Sequence, residues 1–306
     1  MDIEDVADFI VPGIASPCKT WYKVVGDLNS GKIPLMFVHG GPGACHGYLL
    51  PLTDLAPSMP LIFYDQIGNG KSTHLREKDH DEAFWTPELF IDELENLIRH
   101  LGLQERPINV YGHSWVGMFT ALWAARPGSG STNLHRLVIA SSLASMDVWR
   151  IGITALRRKL PQDVQKVLDH AEEVLDFDSP EYQDAVEVFY KRHLSLARPW
   201  QAKEVQDALN WFSEDPTTYG TMYGPSELYV SGSLRDWTCI PDLKGIKAPT
   251  LLLNGTEDEA QDVAMQPFFD HIDKVKWITI DGAAHFAHVD QREKYMEHLR
   301  SFLVGS

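Results

Sequence analysis

Six short, nearly continuous apolar runs, each ending in a turn rich in glycine, serine or acid, set the tightest limit on how this chain can fold. They occupy residues 34–38 before H-G-G-P-G, 61–64 before D-Q-I-G-N-G-K-S, 108–111 before G-H-S, 137–140 before S-S, 250–253 before N-G-T-E-D-E, and 275–280 before D-G-A-A-H. Strands that are apolar on both sides belong to sheets covered on both faces. Their alternation with helical patterns predicts an α/β fold with a mostly parallel central sheet. Two helices announce themselves: Thr86-Pro87-Glu88 opens one with N-cap chemistry, and Asp290 with Glu293 forms a plausible capping box for the last.

Between residues 144 and 237 the strand signal stops and helical patterns take over, at 161–175, 179–194 and 202–212. This stretch is aromatic, with Trp149, Phe177, Phe189, Tyr190, Trp200, Trp211, Phe212, Tyr219 and Tyr223. It reads as a helical cap inserted between two parts of a core, 1–143 and 238–306, lying over the carboxyl ends of the strands where open α/β sheets place ligands. Most of these aromatics are expected to form the cap's own core, since burial is the commoner fate of a large apolar side chain.

A formal charge of −16 excludes the clustered cations that nucleic acid or an anionic membrane surface requires. Three well-separated cysteines make neither a disulfide framework nor a zinc pattern. The acidic start lacks a secretory n-region, and no apolar run approaches the ~20 residues of a membrane span. A cytoplasmic protein is expected. Gly70-Lys71-Ser72 resembles a P-loop ending, but Asp65 stands where that loop needs glycine. H-G-G-P-G lacks dinucleotide-site spacing, and His285 with His288 has no third ligand at a recognised spacing, so neither cofactor nor metal is expected.

Three features converge on serine hydrolysis. Ser114 lies between the strand at 108–111 and a helical run, the strand–turn–helix context of a nucleophile elbow. Gly112 suits that turn. Val116 stands where a second glycine is usual and Gly117 comes one residue late, so the valine either presses on a neighbouring strand, at about 1–3 kcal/mol, or meets a smaller partner. Asp258 and His285 follow in the order Ser–Asp–His of α/β-hydrolases, each on a loop leaving a strand's carboxyl end. His285 is the candidate base and Asp258 its orienter. Glu257, Glu259, Asp262 and Asp281 compete with Asp258, and His288 competes with His285. H-G-G-P-G supplies the third feature, with the amides of Gly41 and Trp115 as the natural oxyanion donors.

On H-G-G-P-G at 39–43, Y-D-Q-I-G-N-G-K-S at 64–72, G-H-S-W at 112–115, G-P-S-E at 224–227, N-G-T-E-D-E-A at 254–260 and A-H at 284–285, the chain resembles the proline iminopeptidase family of α/β-hydrolases. Those enzymes remove an N-terminal residue, often proline, from peptides. The resemblance implies the α/β-hydrolase fold with a helical cap, a peptide, amide or ester substrate, and Glu227 and Glu259 as anchors for a free α-amine. The family has G-G after the Trp, where this chain has Val116-Gly117. Two alternatives accompany the aminopeptidase reading: an ester, lactone or amide hydrolase or acyl-transfer enzyme of specialised metabolism, and a catalytically silent ligand-binding relative.

Overall fold

The computed structural model describes residues 2–127, 130–198 and 203–305. Among them, eight strands form one sheet: β1 (Ile3–Phe9), β2 (Cys18–Val25), β3 (Leu35–Val38), β4 (Leu61–Tyr64), β5 (Ile108–His113), β6 (Leu134–Ala140), β7 (Thr250–Gly255) and β8 (Val275–Ile280). Their spatial order is β1-β2-β4-β3-β5-β6-β7-β8. β1–β2 and β2–β4 are antiparallel and every later pair is parallel. The helices are α1 (Pro87–His100), α2 (Trp115–Ala125), α3 (Met146–Arg157), α4 (Gln162–Val174), α5 (Pro180–His193), α6 (Lys203–Glu214), α7 (Thr217–Met222), α8 (Asp262–His271), α9 (Ala287–Asp290) and α10 (Arg292–Val304).

The six apolar runs became β3 to β8, and their alternate residues divide between two core layers. Met36, Val38, Val110, Leu137, Ile139 and Leu252 point into one layer with α1, α2 and α8. Leu35, Phe37, Tyr111, Val138, Leu251 and Leu253 point into the other, against α10 and the 3₁₀ segment His46–Leu55. Covered on both faces, β3 to β7 have no reason to alternate with polar residues, whereas β8, at the far edge, leaves Lys276 and Thr279 exposed.

β1 and β2 lie outside the expected set. β1 is an edge strand in which only Ala7 and Phe9 are buried, and it carries Glu4, Asp5 and Asp8. Charge on an edge discourages pairing with other chains and also hides the strand from an apolar-run reading.

Thr86 caps α1 as expected, its side chain accepting from the Leu89 amide. The capping box at Asp290 and Glu293 does not form. Gln291 stands at the N-cap of α10 without a side-chain cap, and the Asp290 carboxylate is engaged elsewhere.

Between β6 and β7 the described chain makes α3 to α7. Its two passes are stitched where they leave the sheet: Met146 N–H donates to Trp237 O at 3.0 Å, and Cys239 N–H to Ala144 O at 3.0 Å. Trp149, Tyr182, Phe189, Tyr219 and Tyr223 are buried in the core, whereas Trp200 and Ala202 lie outside the described residues. No helix among the described residues is long and apolar enough to cross a membrane.

Candidate active site

β5 ends at His113 and α2 begins at Trp115, so Ser114 alone makes the turn, at φ 63° and ψ −139°. A non-glycine residue holds such a conformation only where its surroundings enforce it. Ser114 N–H donates to Ala140 O at 2.9 Å, and Ser142 Oγ and Gly117 N–H donate to Ser114 O at 2.8 and 2.9 Å. The end of β6 thus clamps the elbow from the side.

The elbow's demand for glycine falls at 112 and 117. A Cβ on Gly112 would lie 2.5 Å from Thr120 Oγ1, and one on Gly117 would lie 2.2 Å from Ser142 Oγ and 2.9 Å from Ile139 Cγ2. Val116 is fully buried in the core layer shared with α1, its carbonyl accepting from Thr120 Oγ1 at 2.8 Å. The close strand–helix approach is one residue further on than the usual motif suggests, so the valine faces core rather than a neighbouring backbone.

Asp258 follows β7 and is wholly buried. Its Oδ1 accepts from His285 Nδ1 at 2.9 Å and from Ala260 N–H at 2.8 Å, and its Oδ2 accepts from Gly255 N–H at 3.3 Å. With Nδ1–H committed, the other ring nitrogen of His285 is the basic one. Of the rival carboxylates, Glu259 Oε1 stands 3.7 Å from the same Nδ1, too far for a hydrogen bond, and Asp262 accepts from Asn254 Nδ2. His288 is buried and donates from Nε2 to Tyr48 O at 2.9 Å. Burial pushes its pKa down to about 4, which marks a neutral structural imidazole. Ser114 and His285 line one cavity, together with Gly40, Gly41, Glu227 and Glu259.

A second layer of polar contacts sets the H-G-G-P-G loop. His39 Nε2 accepts from Gln66 N–H, so its Nδ1–H donates to Gly40 O at 2.9 Å. Tying back that carbonyl turns the trans N–H of the same peptide, on Gly41, the opposite way. Gly40 N–H donates to the Tyr48 hydroxyl at 2.6 Å, which leaves the phenol proton for His113 Nδ1 at 3.0 Å. His113 then carries its proton on Nε2 and donates to His285 O at 3.1 Å. Burial holds His113 well below the usual imidazole range, which keeps this chain of donors in one sense. Gly40 has no room for a side chain, since a Cβ there would stand 2.9 Å from Ser114 Cβ. The Trp115 amide opens α2, where N–H groups lack intrahelical acceptors and the helix dipole is positive.

Asp290, released from the capping role, accepts from Ala284 N–H, Ser195 Oγ, Leu196 N–H and Ala197 N–H. It fastens the loop of His285 to the chain after α5. The same segment supplies His193 O, which accepts from Glu259 N–H at 3.2 Å and His285 N–H at 3.1 Å. Sequence reasoning gave no role to Tyr48, His113 or His193, and read Asp290 only as a helix cap. Only His113 carried a local signal, beside the serine.

Glu227 and Glu259 face the same cavity, whose apolar wall includes Ala44, Leu194, Phe212 and Phe286. Glu227 Oε1 accepts from Tyr219 OH at 3.1 Å. Glu259 is 2% exposed and its Oε2 has no hydrogen-bond partner. Burial raises both carboxyls above their ordinary range, Glu259 strongly because the charges of Glu227 and Asp258 add to it. Cys45, His46 and Asp65 also place ligand-type atoms within 4.8 Å of one another. However, Asp65 is taken by His46 N–H, His46 Nδ1 and Lys71 N–H, and burial pushes the Cys45 thiol up to about 12. Those hydrogen bonds to Asp65 anchor the D-Q-I-G-N-G loop.

The model of the alpha/beta hydrolase fold family matches residues 33–291. A proline iminopeptidase of Lactobacillus crispatus (strain ST1) is 31% identical over 288 residues, covering 93% of this chain and 94% of the relative. The chain belongs to the proline iminopeptidase family of α/β-hydrolases. A proline iminopeptidase of Lactiplantibacillus plantarum (strain ATCC BAA-793 / NCIMB 8826 / WCFS1) is 30% identical over 291 residues, covering 94% of this chain and 97% of the relative. Among solved structures, the proline iminopeptidase of Mycobacterium smegmatis superposes with a TM-score of 0.87 at 35% identity, over 98% of this chain and 97% of that one. The crystal structure of VinJ superposes at 0.91 with 39% identity, over 98% of both chains.

Proposed function

We propose that this chain is a serine aminopeptidase that removes an N-terminal residue, proline or another small apolar one, from a peptide or amide through an acyl-enzyme. One observation carries the reading: Glu259 Oε2 is buried and unpaired, in a cavity shared with Glu227, Ser114 and His285. An orphaned buried carboxylate oxygen is costly unless something cationic meets it, and a substrate's ammonium does so. With the amine held between Glu227 and Glu259, the carbonyl of that same residue comes to Ser114.

The Ser114 Oγ–carbon bond forms as the hydroxyl proton passes to His285 Nε2, with Asp258 holding the imidazole in the required tautomer. The N–H groups of Gly41 and Trp115 receive the oxyanion. Collapse breaks the carbon–nitrogen bond and His285 returns the proton to the departing amine. Water then releases the residue from Ser114 by the same route. The stretch 144–237 acts as the cap that closes the apolar side over the acyl group.

The test is a panel of aminoacyl anilides, proline included, each with its amine free and N-acetylated, beside simple acyl esters. Free-amine anilides are expected to exceed their acetylated forms by at least about 10²-fold in kcat/KM, the scale for losing one partner of a buried ion pair. Faster turnover of esters or acetylated substrates would instead identify an ester, lactone or acyl-transfer enzyme. Folded protein that no fluorophosphonate labels at Ser114 would be a silent ligand binder.

A further inference from the structure

The cavity at Ser114 adjoins a second, much larger space. Measured as volume open to the centre of a water molecule, the first has about 30 Å³ and the second about 720 Å³. The smaller figure is room for about two or three waters, the scale of one small residue. The larger space is a groove in the cap, walled by Phe177, Tyr182 and Val186 on the α5 side and by Pro216 and Tyr219 at α7. Tyr190, Leu209 and Phe212 line both spaces, so the two meet across a common wall of three side chains. Phe212 packs on Tyr219, ring centroids 4.5 Å apart, and the Tyr219 hydroxyl is the one held by Glu227.

The charges around the two spaces are one-sided. The site holds Glu227 and Glu259 and the groove holds Asp178 and Glu187, the last paired with Lys191 Nζ at 2.9 Å; among the described residues no lysine or arginine lines either space. His80 is the one lining group in the groove able to become a cation.

We propose that this groove is the leaving-group side of the active site, and that it selects aminoacyl amides whose departing amine is uncharged, extended and largely apolar. The inference rests on the aminopeptidase reading and narrows it. When the amide bond breaks, the acyl group stays on Ser114 and the amine, reprotonated by His285, departs along the groove past Phe212. A dipeptide with a free carboxyl end would put an anion two bonds from the scissile nitrogen, among carboxylates and aromatic rings with no cation to meet it. Each further residue moves that charge outward by about 3.5 Å, toward solvent. An amide, an arylamine or a long apolar amine avoids the conflict and buries its surface against the aromatic wall.

The experiment uses the aminoacyl residue preferred in the anilide panel, joined to four leaving groups: phenylalanine as free acid, phenylalanine amide, phenethylamine and methylamine. The amide is expected to exceed the acid by on the order of tenfold in kcat/KM, a gap that narrows with added salt. Phenethylamide is expected to exceed methylamide by at least about tenfold through KM. The double variant Asp178→Lys with Glu187→Lys reverses the charge of the groove. It should shrink the acid–amide gap, read as a ratio within the one variant. Equal rates for acid and amide, an acid–amide ratio unmoved by the lysines, or indifference to the phenethyl group would each overturn the leaving-group assignment and leave the aminopeptidase standing. Failure to cleave any free-amine anilide would remove the underlying reading itself.

Discussion

The two halves of the site are finished to different degrees. Around Ser114, His285 and Asp258 a set of fixed hydrogen bonds orients the polar groups: Asp258 takes His285 and two backbone amides, and Tyr48 joins Gly40 to His113. Toward Glu227, and on the same loop as Asp258, Glu259 Oε2 is buried with no hydrogen-bond partner. The first half is arranged before substrate arrives, as stabilisation of a developing charge requires. On the proposed reading the second is completed by the substrate. The two halves meet on the loop after β7, where Asp258 and Glu259 are adjacent.

The largest effect should come from exchanging the two halves' losses. Ser114→Ala is expected to cut turnover by at least about 10⁴-fold while leaving the affinity for proline amide, measured by calorimetry, within about twofold. Glu259→Gln should do the reverse, weakening that binding by about 10²-fold yet leaving fluorophosphonate labelling of Ser114 nearly intact. If either variant lost both properties in folded protein, the two halves would be one unit. Next in size, Tyr48→Phe deletes the phenol between Gly40 and His113, and kcat should fall roughly 10- to 100-fold at unchanged KM. A change confined to KM would remove Tyr48 from the catalytic half.

Within the elbow, Gly117→Ala should destabilise the fold by about 1–3 kcal/mol through its clash with Ser142. The same change should reduce turnover, because Ser142 holds the Ser114 carbonyl. Val116→Ala should cost a comparable 1–2 kcal/mol or so by leaving a cavity, with turnover kept. Equal activity losses in denaturation-matched assays would contradict the placement of the tight contact at 117.

A separate effect, on stability alone, concerns Glu93, a buried carboxyl which, unlike Glu259, is fully partnered. It accepts from Thr20 Oγ1 and the Ile67 amide, and burial raises it to about 8. A carboxyl whose folded value exceeds its unfolded one stabilises fully below about 4.5, and that contribution is lost as pH rises through about 8. Thermal melts should show the wild type losing stability relative to Glu93→Gln between pH 5 and 9. A flat difference would mean the carboxyl is not shifted.

What the sequence disclosed was whatever a short stretch can carry. Doubly buried strands appear as apolar runs, and a nucleophile turn as Gly-x-Ser between strand and helix, so β3 to β8 and the loops of Ser114, Asp258 and His285 were legible. β1 was not, because an edge strand guarded by acids lacks that signature. Asp290 looked like a helix cap from its spacing to Glu293, but competing amides from two other segments claimed its carboxylate. Tyr48 pairs with a histidine 65 residues away, a relation invisible before the fold brings them together. Val116 was misjudged because a motif counts residues, whereas packing depends on which Cβ faces the neighbouring strand.

The carbonyl of His193 has a wider bearing. It moors the end of α5 to the backbones of both Glu259 and His285, and Asp290 doubles the attachment. Hinging the lid there would unseat the imidazole and spoil the machinery it shelters. The α5 end serves as a fixed jamb beside the imidazole.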